Sequence, residues 1–501
     1  MPASPAHPHE LPDMTAAPPS DGKPPAEGST VTREVNWEDF REHLATADRS
    51  GNRRWLYPKR PSGRWHDRRR WLAWGLLVVL FAGPFIRIQG NPLLMFNLVE
   101  RKFSILGQIF WPEDAVIFAV AMLVFLAGIM VFTTAFGRLW CGWACPQTVM
   151  MEMVFRKLEY LIEGDAHQMR ALDAAPWTAR KILKKGLKHG LFLGLSFVVG
   201  NTLLSYLMGS DALYAVITDD PRRHLAGLGF MILFTLLFYG IFARFREQAC
   251  TFICPYGRFQ SALLDENTLV VAYDRRRGEG RGPWRRDQRL ELRRDEGLGD
   301  CVDCRQCVAV CPTGIDIRDG VQMECVNCTA CMDACDAVMD RLGRPRGLVR
   351  HASLQGIEEG RPLRFTARMK LYSGILAALV GLFLFLVLTR ADVETLFLRA
   401  PGGLYQPAPG GRLSNLYTVK VVNKTHREMP VEFRLEGLEG RVVVMGGGSM
   451  VVPPNQLSQT SVLIELDPAV LAATSTRVRV GVYSGGRRIE TVQTAFIGPR
   501  R

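Results

Sequence analysis

The chain has 501 residues, more than one ordinary domain, and combines a net charge of +13 with a hydrophobic fraction of 48%. Disordered and fibrous chains lack so many apolar residues, so both classes are excluded. A nucleic-acid binder and a membrane protein with charged flanks remain. The position of the apolar residues along the chain separates these two classes.

The sequence predicts that residues 1–60 form a disordered cytoplasmic tail. The first thirty residues contain eight prolines and show no apolar periodicity. A basic start followed by an apolar core is missing, so we expect no cleaved signal peptide.

Five apolar segments are long enough to cross a bilayer, which takes about 20 mainly apolar residues. They cover residues 71–88, 115–136, 187–207, 225–243 and 371–388. Shorter buried helices would carry a polar face, and these segments have almost none. Pro84 predicts a kink in the first segment. The chain is therefore predicted to be a membrane protein.

Lysine and arginine near the segment ends indicate the orientation. They are dense before the first segment and after the second and fourth, and acidic residues dilute them in the other loops. Because cytoplasmic loops carry the excess of Lys and Arg, we expect a cytoplasmic N-terminus in the inner membrane. Five crossings then place the C-terminal domain in the periplasm.

The arginine-rich run over residues 275–294 has two interpretations. In an isolated domain it would suggest a nucleic-acid patch. Here a cytoplasmic loop beside anionic lipid explains the charge better, and no nucleic-acid module is visible. We expect no nucleic-acid partner.

Eight of the twelve cysteines form two runs of the spacing C-x2-C-x2-C-x3-C. In two-cluster ferredoxins, the fourth cysteine of such a run ligates the other cluster. We therefore predict one [4Fe-4S] cluster on Cys301, Cys304, Cys307 and Cys335, and a second on Cys325, Cys328, Cys331 and Cys311. A zinc site would need C-x2-C pairs with a longer spacer. Asp336 takes the place of the proline that follows the first run.

The other four cysteines form two matching C-x3-C-P motifs, Cys141 with Cys145 and Cys250 with Cys254. Both motifs follow spans that end on the same side, so we expect them at equal depth, facing the clusters. Residues i and i+4 share a helix face, so each pair would present two sulfurs together. Such thiols suit a copper ion, a further iron–sulfur cluster or thiol–disulfide cycling. Met150, Met151 and Met153 are either soft copper ligands or packing residues.

The segments around these motifs, residues 138–149 and 245–260, resemble the CcoG/RdxA/FixG family. The stretches 311–320 and 333–336 resemble it too, and the similarity runs from about residue 50 to the end. The resemblance implies an accessory protein for assembly of cbb3-type cytochrome c oxidase that acts as a copper reductase delivering Cu(I). It also implies that the eight cysteines of the two runs hold two clusters. A flavin and a quinone both stay open as the electron source.

The C-terminal residues predict a β-sandwich. Alternating apolar residues over 416–423, 431–435, 461–466, 477–483 and 490–496 are typical of half-buried strands. About seven short strands in a hundred residues suggest an immunoglobulin-like fold. Without cysteine or a catalytic constellation, this domain is interpreted as a docking module for a partner, and residues 423–426 as a turn.

The predicted fold is thus membrane α-helical, with about five transmembrane helices, a bacterial-ferredoxin-like 2[4Fe-4S] domain and an all-β immunoglobulin-like sandwich. The predicted domains are a tail (1–60), spans one to four (61–250), a cytoplasmic loop (251–370) with the ferredoxin module at about 290–345, a fifth span (371–390) and the sandwich (391–501).

The leading function is electron transfer that reduces Cu(II) to Cu(I), with Cys141, Cys145, Cys250 and Cys254 as the hypothesised redox or copper site. Oxidase subunits or assembly factors are the expected partners. A quinol-oxidising subunit for a periplasmic reductase and a non-catalytic assembly scaffold are the alternatives. The oligomeric state stays open, a dimer included.

Overall fold

The computed structural model describes residue 46 and residues 52–97, 102–105, 107–284, 290–361, 364–402, 404–447, 450–471 and 473–499. From residue 52 onward these ranges build a group of long apolar helices, a cysteine-rich module and a β-sandwich. Most of the predicted tail, residues 1–45, lies outside the described residues.

The part before the module is mainly helical. Its helices are α1 (Arg64–Ala82), α2 (Ala115–Phe136), α3 (Leu139–Trp143), α4 (Pro146–Val149), α5 (Arg156–Ile162), α6 (Ala166–Ala174), α7 (Ala179–Met208), α8 (Ser210–Thr218) and α9 (Leu225–Gly240). Wider π-helical turns cover Met150–Phe155, Ile241–Phe245 and Ala249–Ile253. Short strands join α1 to α2: β1 (Arg87–Ile88), β2 (Asn91–Pro92), β3 (Leu94–Asn97), β4 (Lys102–Ile105) and β5 (Gln108–Phe110).

Four helical segments in the described ranges are long and apolar enough to cross a membrane. They are Ala115–Phe136, Ala179–Met208, Pro221–Phe245 and Ala367–Leu388. Their apolar side chains are largely exposed, as expected for surfaces that face lipid. The chain is therefore a membrane protein.

Helix α1 differs from the predicted first span. Arginines occupy its first two turns, and it ends at Ala82 instead of continuing to residue 88. The predicted kink at Pro84 is wrong, because the helix stops before the proline, which has no N–H to continue it. Gly83 follows directly, where Tyr206 of α7 packs too closely for a side chain and donates its hydroxyl to the carbonyl of Leu80 at 2.9 Å.

Three long helices have one end at the module, and we call this end of the molecule the cysteine end. The contacts are Trp65 N to Asp333 Oδ1 (3.0 Å) for α1, Leu269 N to Ala135 O (3.0 Å) for α2 and Arg368 to Asp265 (3.6 Å) for Ala367–Leu388. At the opposite end, the sandwich end, α2 begins and Ala367–Leu388 ends beside the sandwich. Helix α1, with 19 residues, is about 28 Å long.

The module follows α9 and contains short elements around the two cysteine runs. They are α10 (Pro255–Leu263), β6 (Val270–Tyr273), α11 (Arg275–Gly278), α12 (Leu290–Asp295), α13 (Gln306–Ala309), α14 (Ala330–Arg341), β7 (Val349–Ala352) and α15 (Leu354–Glu359). β6 and β7 pair antiparallel, and β6 is buried along its whole length. Helix α16 (Ala367–Leu388) then returns through the apolar layer.

Residues 52–60, which we call the strap, cross from the helices to the module. Tyr57 donates its hydroxyl to Asp173 at 2.5 Å, and the backbone N–H of Lys59 donates to the carbonyl of Ala309 at 2.7 Å. Leu56 packs against Gly314. The predicted disorder is therefore wrong for the strap, because its aromatic and apolar side chains pack on both parts.

The sandwich has two sheets. Its strands are β8 (Val393–Arg399), β9 (Gln406–Ala408), β10 (Arg412–Asn423), β11 (Met429–Glu436), β12 (Gly440–Val444), β13 (Met450–Val452), β14 (Leu457–Leu466), β15 (Ser475–Ser484) and β16 (Arg487–Ile497). One sheet has the order β12-β14-β10-β8, with β9 on β10, and the other β13-β11-β15-β16. The core between them includes fully buried Tyr417, Ile464 and Phe496. The predicted fold class is confirmed, with nine strands in the described part instead of about seven.

One buried carboxylate fastens the sandwich to the helices. Asp114, directly before α2, accepts hydrogen bonds from Lys424 at 2.6 Å and from Arg390 at 2.5 Å. Lys424 follows β10, in the stretch interpreted from sequence as a plain turn. We call these three residues the clamp; sequence reasoning missed its contact.

Candidate functional site

The first predicted ligand set surrounds one cavity, which we call site A. Cys301, Cys304 and Cys307 reach it from a loop before and into α13, and Cys335 reaches it from α14. The other walls of this cavity include Val338, Met339, Leu348 and Val349.

The second predicted set surrounds site B. Cys325, Cys328 and Cys331 line it from the second loop, together with Cys311 from the first run. The structure thus brings the fourth cysteine of each run to the opposite site, the crossing that the spacing predicts.

Both loops use the same unusual backbone geometry around their middle cysteine. Asp303 and Arg305 flank Cys304 with φ of 48° and 52°, and Asn327 and Thr329 flank Cys328 with 53° and 65°. The left-handed region is costly for residues other than glycine, most of all for a β-branched threonine. Two such turns wrap three thiols around one volume, so the strain serves the site.

The cysteines fit a cluster better than a single ion. In the described residues, no three His, Cys, Asp or Glu side chains converge closely enough for one metal ion. A zinc ion needs four ligands within about 2.3 Å, whereas a cubane holds its thiolates apart. Each predicted set encloses a volume, as a cubane requires.

Buried arginines secure the cluster loops. Arg293, only 1% exposed, donates to the carbonyls of Gly282 at 2.9 Å and Cys301 at 3.0 Å. Arg318 pairs with Asp303 and Asp316 below the same loop. Arg293 belongs to the run that sequence reasoning attributed to orientation beside lipid, and the structure gives it an internal role. The signal that sequence reasoning overlooked is the long irregular loop itself, because its buried backbone carbonyls need hydrogen-bond donors.

The two C-x3-C-P motifs have the same local backbone structure. Cys145 and Cys254 are both extended and cap the next helix, with Pro146 and Pro255 as its first residue. Proline is favoured at that position, where no N–H is required. The expectation that each pair lies on one continuous helix face is therefore wrong, because the helical turn ends before the second cysteine.

The four cysteines nevertheless come together, and we call them the twin-thiol site. Cys141 lies within electrostatic range of Cys145 and Cys254, and Cys250 within range of all three. Burial raises the pKa of Cys141 to about 11 and that of Cys250 to about 12. Both thiols therefore keep their protons at neutral pH.

The twin-thiol site abuts the loop of site B. A Cβ on Gly142 would lie 2.8 Å from the carbonyl oxygen of Asn327, so only glycine permits the approach. Trp143 donates its indole N–H to the same carbonyl at 3.2 Å. Asn327 lies between Cys325 and Cys328, so its carbonyl joins the twin-thiol site to the loop of site B.

A buried amide contacts the twin-thiol site. Cys141 donates to Oε1 of Gln260 at 3.3 Å, and Gln260 is fully buried. Within the described part of the chain, Nε2 of Gln260 and of Gln147 has no hydrogen-bond partner. Unpaired buried donors are costly and suit metal-bound sulfur, which accepts hydrogen bonds. Both glutamines lie in the segments that resemble the family, residues 138–149 and 245–260, but the cysteine spacing predicts no role for them.

The methionines after the first motif belong to the core. Met150, Met151 and Met153 are 3–4% exposed and pack with Phe155 and Phe192. The packing interpretation of these residues fits the structure, and they do not extend the twin-thiol site.

An ion network lies beside these sites at the cysteine end. Arg246 pairs with Glu159, and Lys188 bridges Glu159 at 3.5 Å and Glu163 at 2.9 Å. All four residues are under 9% exposed. Sequence reasoning missed this network; acidic residues at matching depth were the available signal.

Three family models match this chain. A 4Fe-4S dicluster domain covers residues 245–354, and a 4Fe-4S binding domain covers residues 118–163. The immunoglobulin-like fold found at the C-terminus of FixG covers residues 383–499. These matches confirm iron–sulfur clusters and the sandwich.

Curated relatives match over most of their length. The nitrogen fixation protein FixG of Rhizobium meliloti is 34% identical over 79% of this chain and 82% of its own. Protein RdxA of Cereibacter sphaeroides is 32% identical over 89% of this chain and 97% of its own. Protein RdxB of the same organism is 33% identical over 87% of this chain and 94% of its own. A FixG-related protein from Vibrio parahaemolyticus, solved as a crystal structure, covers 22% of this chain and 97% of its own at 23% identity, with a TM-score of 0.19. By its cysteine sites and these relatives, the chain is an iron–sulfur electron-transfer protein of the FixG/RdxA family.

Proposed function

We propose that this protein carries single electrons through sites A and B to the twin-thiol site and there reduces Cu(II) to Cu(I). Cys301, Cys304, Cys307 and Cys335 would hold one [4Fe-4S] cluster, and Cys311, Cys325, Cys328 and Cys331 the other. The Cu(I) would serve assembly of a cbb3-type cytochrome c oxidase.

One observation carries the proposal: the contact of the twin-thiol site with the loop of site B. Gly142 packs on the backbone of Val326 and Asn327, and Trp143 is hydrogen-bonded to it. Electrons reaching site B therefore have a bonded connection to four sulfurs that belong to neither predicted cluster.

Each step transfers one electron: a reduced cluster would lose it, Cu(II) would become Cu(I), and an external electron donor would reduce the cluster again. Copper reduction takes one electron, and [4Fe-4S] clusters supply electrons singly. Soft thiol ligands favour Cu(I) over Cu(II), so sulfur at the acceptor helps reduction. In the described residues no three of these thiols converge on one point, so the copper ion would be held by a pair of them.

The proposed setting is the inner membrane, with the cysteine end in the cytoplasm and the sandwich in the periplasm. The Lys and Arg excess in loops of the cysteine end supports this orientation. The sandwich would dock oxidase subunits or assembly factors, a role that suits a rigid domain clamped to the helices.

Serine variants of the twin-thiol site test the proposal. In Cys141→Ser with Cys250→Ser, we expect copper reduction to fall at least about a hundredfold, because a hydroxyl is a poor Cu(I) ligand. A Cu(I)-specific chelator dye measures the product, and iron analysis confirms intact clusters. Thr251→Ser, in the same motif, is the matched control. Full copper reduction by the double variant would refute the assignment.

A further inference from the structure

Site A alone offers a cysteine to solvent. Of the twelve cysteines, all of which are described, only Cys304 is exposed, and those of site B are all partly shielded. Site B lies against the helices through Asn327, so site A is the more remote site from the membrane. An electron arriving from water would meet site A first.

The loop around Cys304 projects toward solvent. Asp303, Cys304 and Arg305 are all exposed, and their alternating left-handed turns push the middle residue outward. The matching loop of site B has the same backbone turns, yet Asn327 and Thr329 are 3% and 1% exposed. The difference lies in the surroundings, because the helices cover only the second loop.

The strap brings positive charge to this edge. Nζ of Lys59 donates to Oε1 of Gln306 at 3.1 Å, and Nε2 of Gln306 donates to the carbonyl of Cys304 at 3.5 Å. The side chain of Arg305 is 66% exposed and lies 3.8 Å from Asp303. Asp303 is also bonded to Arg318, so it does not neutralise the arginine alone.

Charge along the chain shows that the strap region is the source of the positive field. Residues 246–366 contain nineteen Arg and nineteen Asp or Glu, so the module alone is neutral. Residues 52–70 contain eight Lys or Arg and one Asp. Orientation in the membrane explains cations near α1, but it does not explain why Lys59 is bonded to the rim of site A.

We infer that the edge formed by Cys304, Arg305 and Lys59 is the docking surface for a small acidic protein that carries one electron. This inference rests on the proposed function and names its electron donor by class. Opposite charges on the two faces steer the encounter and fix the orientation. The partner's reduced centre loses one electron to site A, and no proton or bond is transferred.

The experiment uses the full chain with its clusters in nanodiscs of neutral lipid. The probe is a plant-type [2Fe-2S] ferredoxin of net negative charge. Its binding in the oxidised form is measured by surface plasmon resonance, and its electron transfer by bleaching of the chain's iron–sulfur absorbance. The variant is Lys59→Glu with Arg305→Glu. The control, Arg434→Glu with Arg488→Glu, makes the same charge change on exposed residues of the sandwich.

We expect the Lys59 and Arg305 variant to bind and bleach on the order of tenfold more slowly at low salt, with the difference shrinking as salt screens the charges. Dithionite, a small reductant, should bleach all proteins alike. Equal ferredoxin rates in both variants would overturn the inference. So would loss of binding to anionic vesicles with ferredoxin rates unchanged, which would assign the cations to lipid. Copper enters neither readout, so failure of copper reduction leaves this result interpretable.

Discussion

At the scale of residues, two glycines set the spacing of the redox sites. Gly142 lets the first C-x3-C-P motif reach the loop of site B, and a Cβ on Gly257 would collide with the carbonyl of Cys250. Neither glycine has a positive φ, so close approach is what requires them. Gly142 packs on a backbone far away in sequence, and Gly257 packs on its own motif seven residues earlier.

Gly142→Ala tests this spacing. The new methyl group must push the motif away from Asn327, at a cost of about 1–3 kcal/mol for overpacking. We expect lower thermal stability and slower electron transfer from iron to copper at unchanged iron content, followed by stopped-flow absorbance. Gly128→Ala, where a Cβ meets nothing within 4 Å, should change neither quantity. Transfer as fast as in the parent protein would show that this contact is not on the electron path.

The cysteines gather as their spacing predicts, and their role as cluster ligands stays a prediction, whereas sequence reasoning missed the residues that support them. Spacing alone predicted that Cys311 and Cys335 reach opposite sites, because a tight loop can present only three thiols to one cubane. The buried Arg293 and Gln260 carry no such spacing rule. Their partners are backbone carbonyls or single thiols that only the folded chain brings near.

At the scale of elements, the clamp determines how the sandwich sits on the helices. Asp114 and Lys424 have side chains 4% and 5% exposed, and Arg390 completes the group. Burial alone would raise the pKa of Asp114, yet hydrogen bonds from Arg390 and Lys424 leave that pKa below its usual value. The ionised carboxylate is therefore the form that joins the two parts.

Lys424→Met should weaken this junction by on the order of 2–4 kcal/mol, because it leaves a buried carboxylate with one cation fewer. The measurement is urea unfolding followed by the melting of the sandwich. Arg434→Met, which removes an exposed pair, should cost at most about 1 kcal/mol. A lowered pKa stabilises the fold above the ordinary aspartate range, about 4, and that contribution is lost as pH falls below it. Equal acid sensitivity of Lys424→Met and the parent would contradict this role.

The strands and helices that the sequence predicts correctly are those with a regular pattern of apolar residues. The alternating runs of β10, β11, β14, β15 and β16 predicted strands, because one face is buried in the sandwich. The short strands β9 and β13 have three residues each, too few to show alternation. Helix α1 was misplaced toward its C-terminus, since hydropathy ignores the arginine-rich turns that pack on the module.

At the scale of the whole molecule, the redox parts and the sandwich have separate cores. The sandwich core contains no cysteine, and sites A and B contain no residue after Val349. All ten tryptophans lie at or before residue 284, so none belongs to the sandwich, and of the described ones Trp111 packs against Val422 of β10.

Removal of iron should therefore destabilise one part only. We expect anaerobic chelation to lower the tryptophan-detected melting temperature by more than about 5 °C, because cluster binding contributes to folding. Hydrogen exchange at β14 and β15 should stay slow in the same sample. Parallel loss of protection in the sandwich would indicate a single cooperative unit and contradict this division.

The exchange of Cys311 and Cys335 between the two sites also constrains how the protein is made. A nascent chain that has left the ribosome only as far as residue 320 contains all four cysteines of the first run, yet it lacks part of the predicted ligand set of each cluster. Site B gains its last thiol at Cys331 and site A at Cys335, within one helical turn of synthesis. Biogenesis factors that donate iron and sulfur would thus meet both sites together, late in translation and just before α16 is threaded into the bilayer.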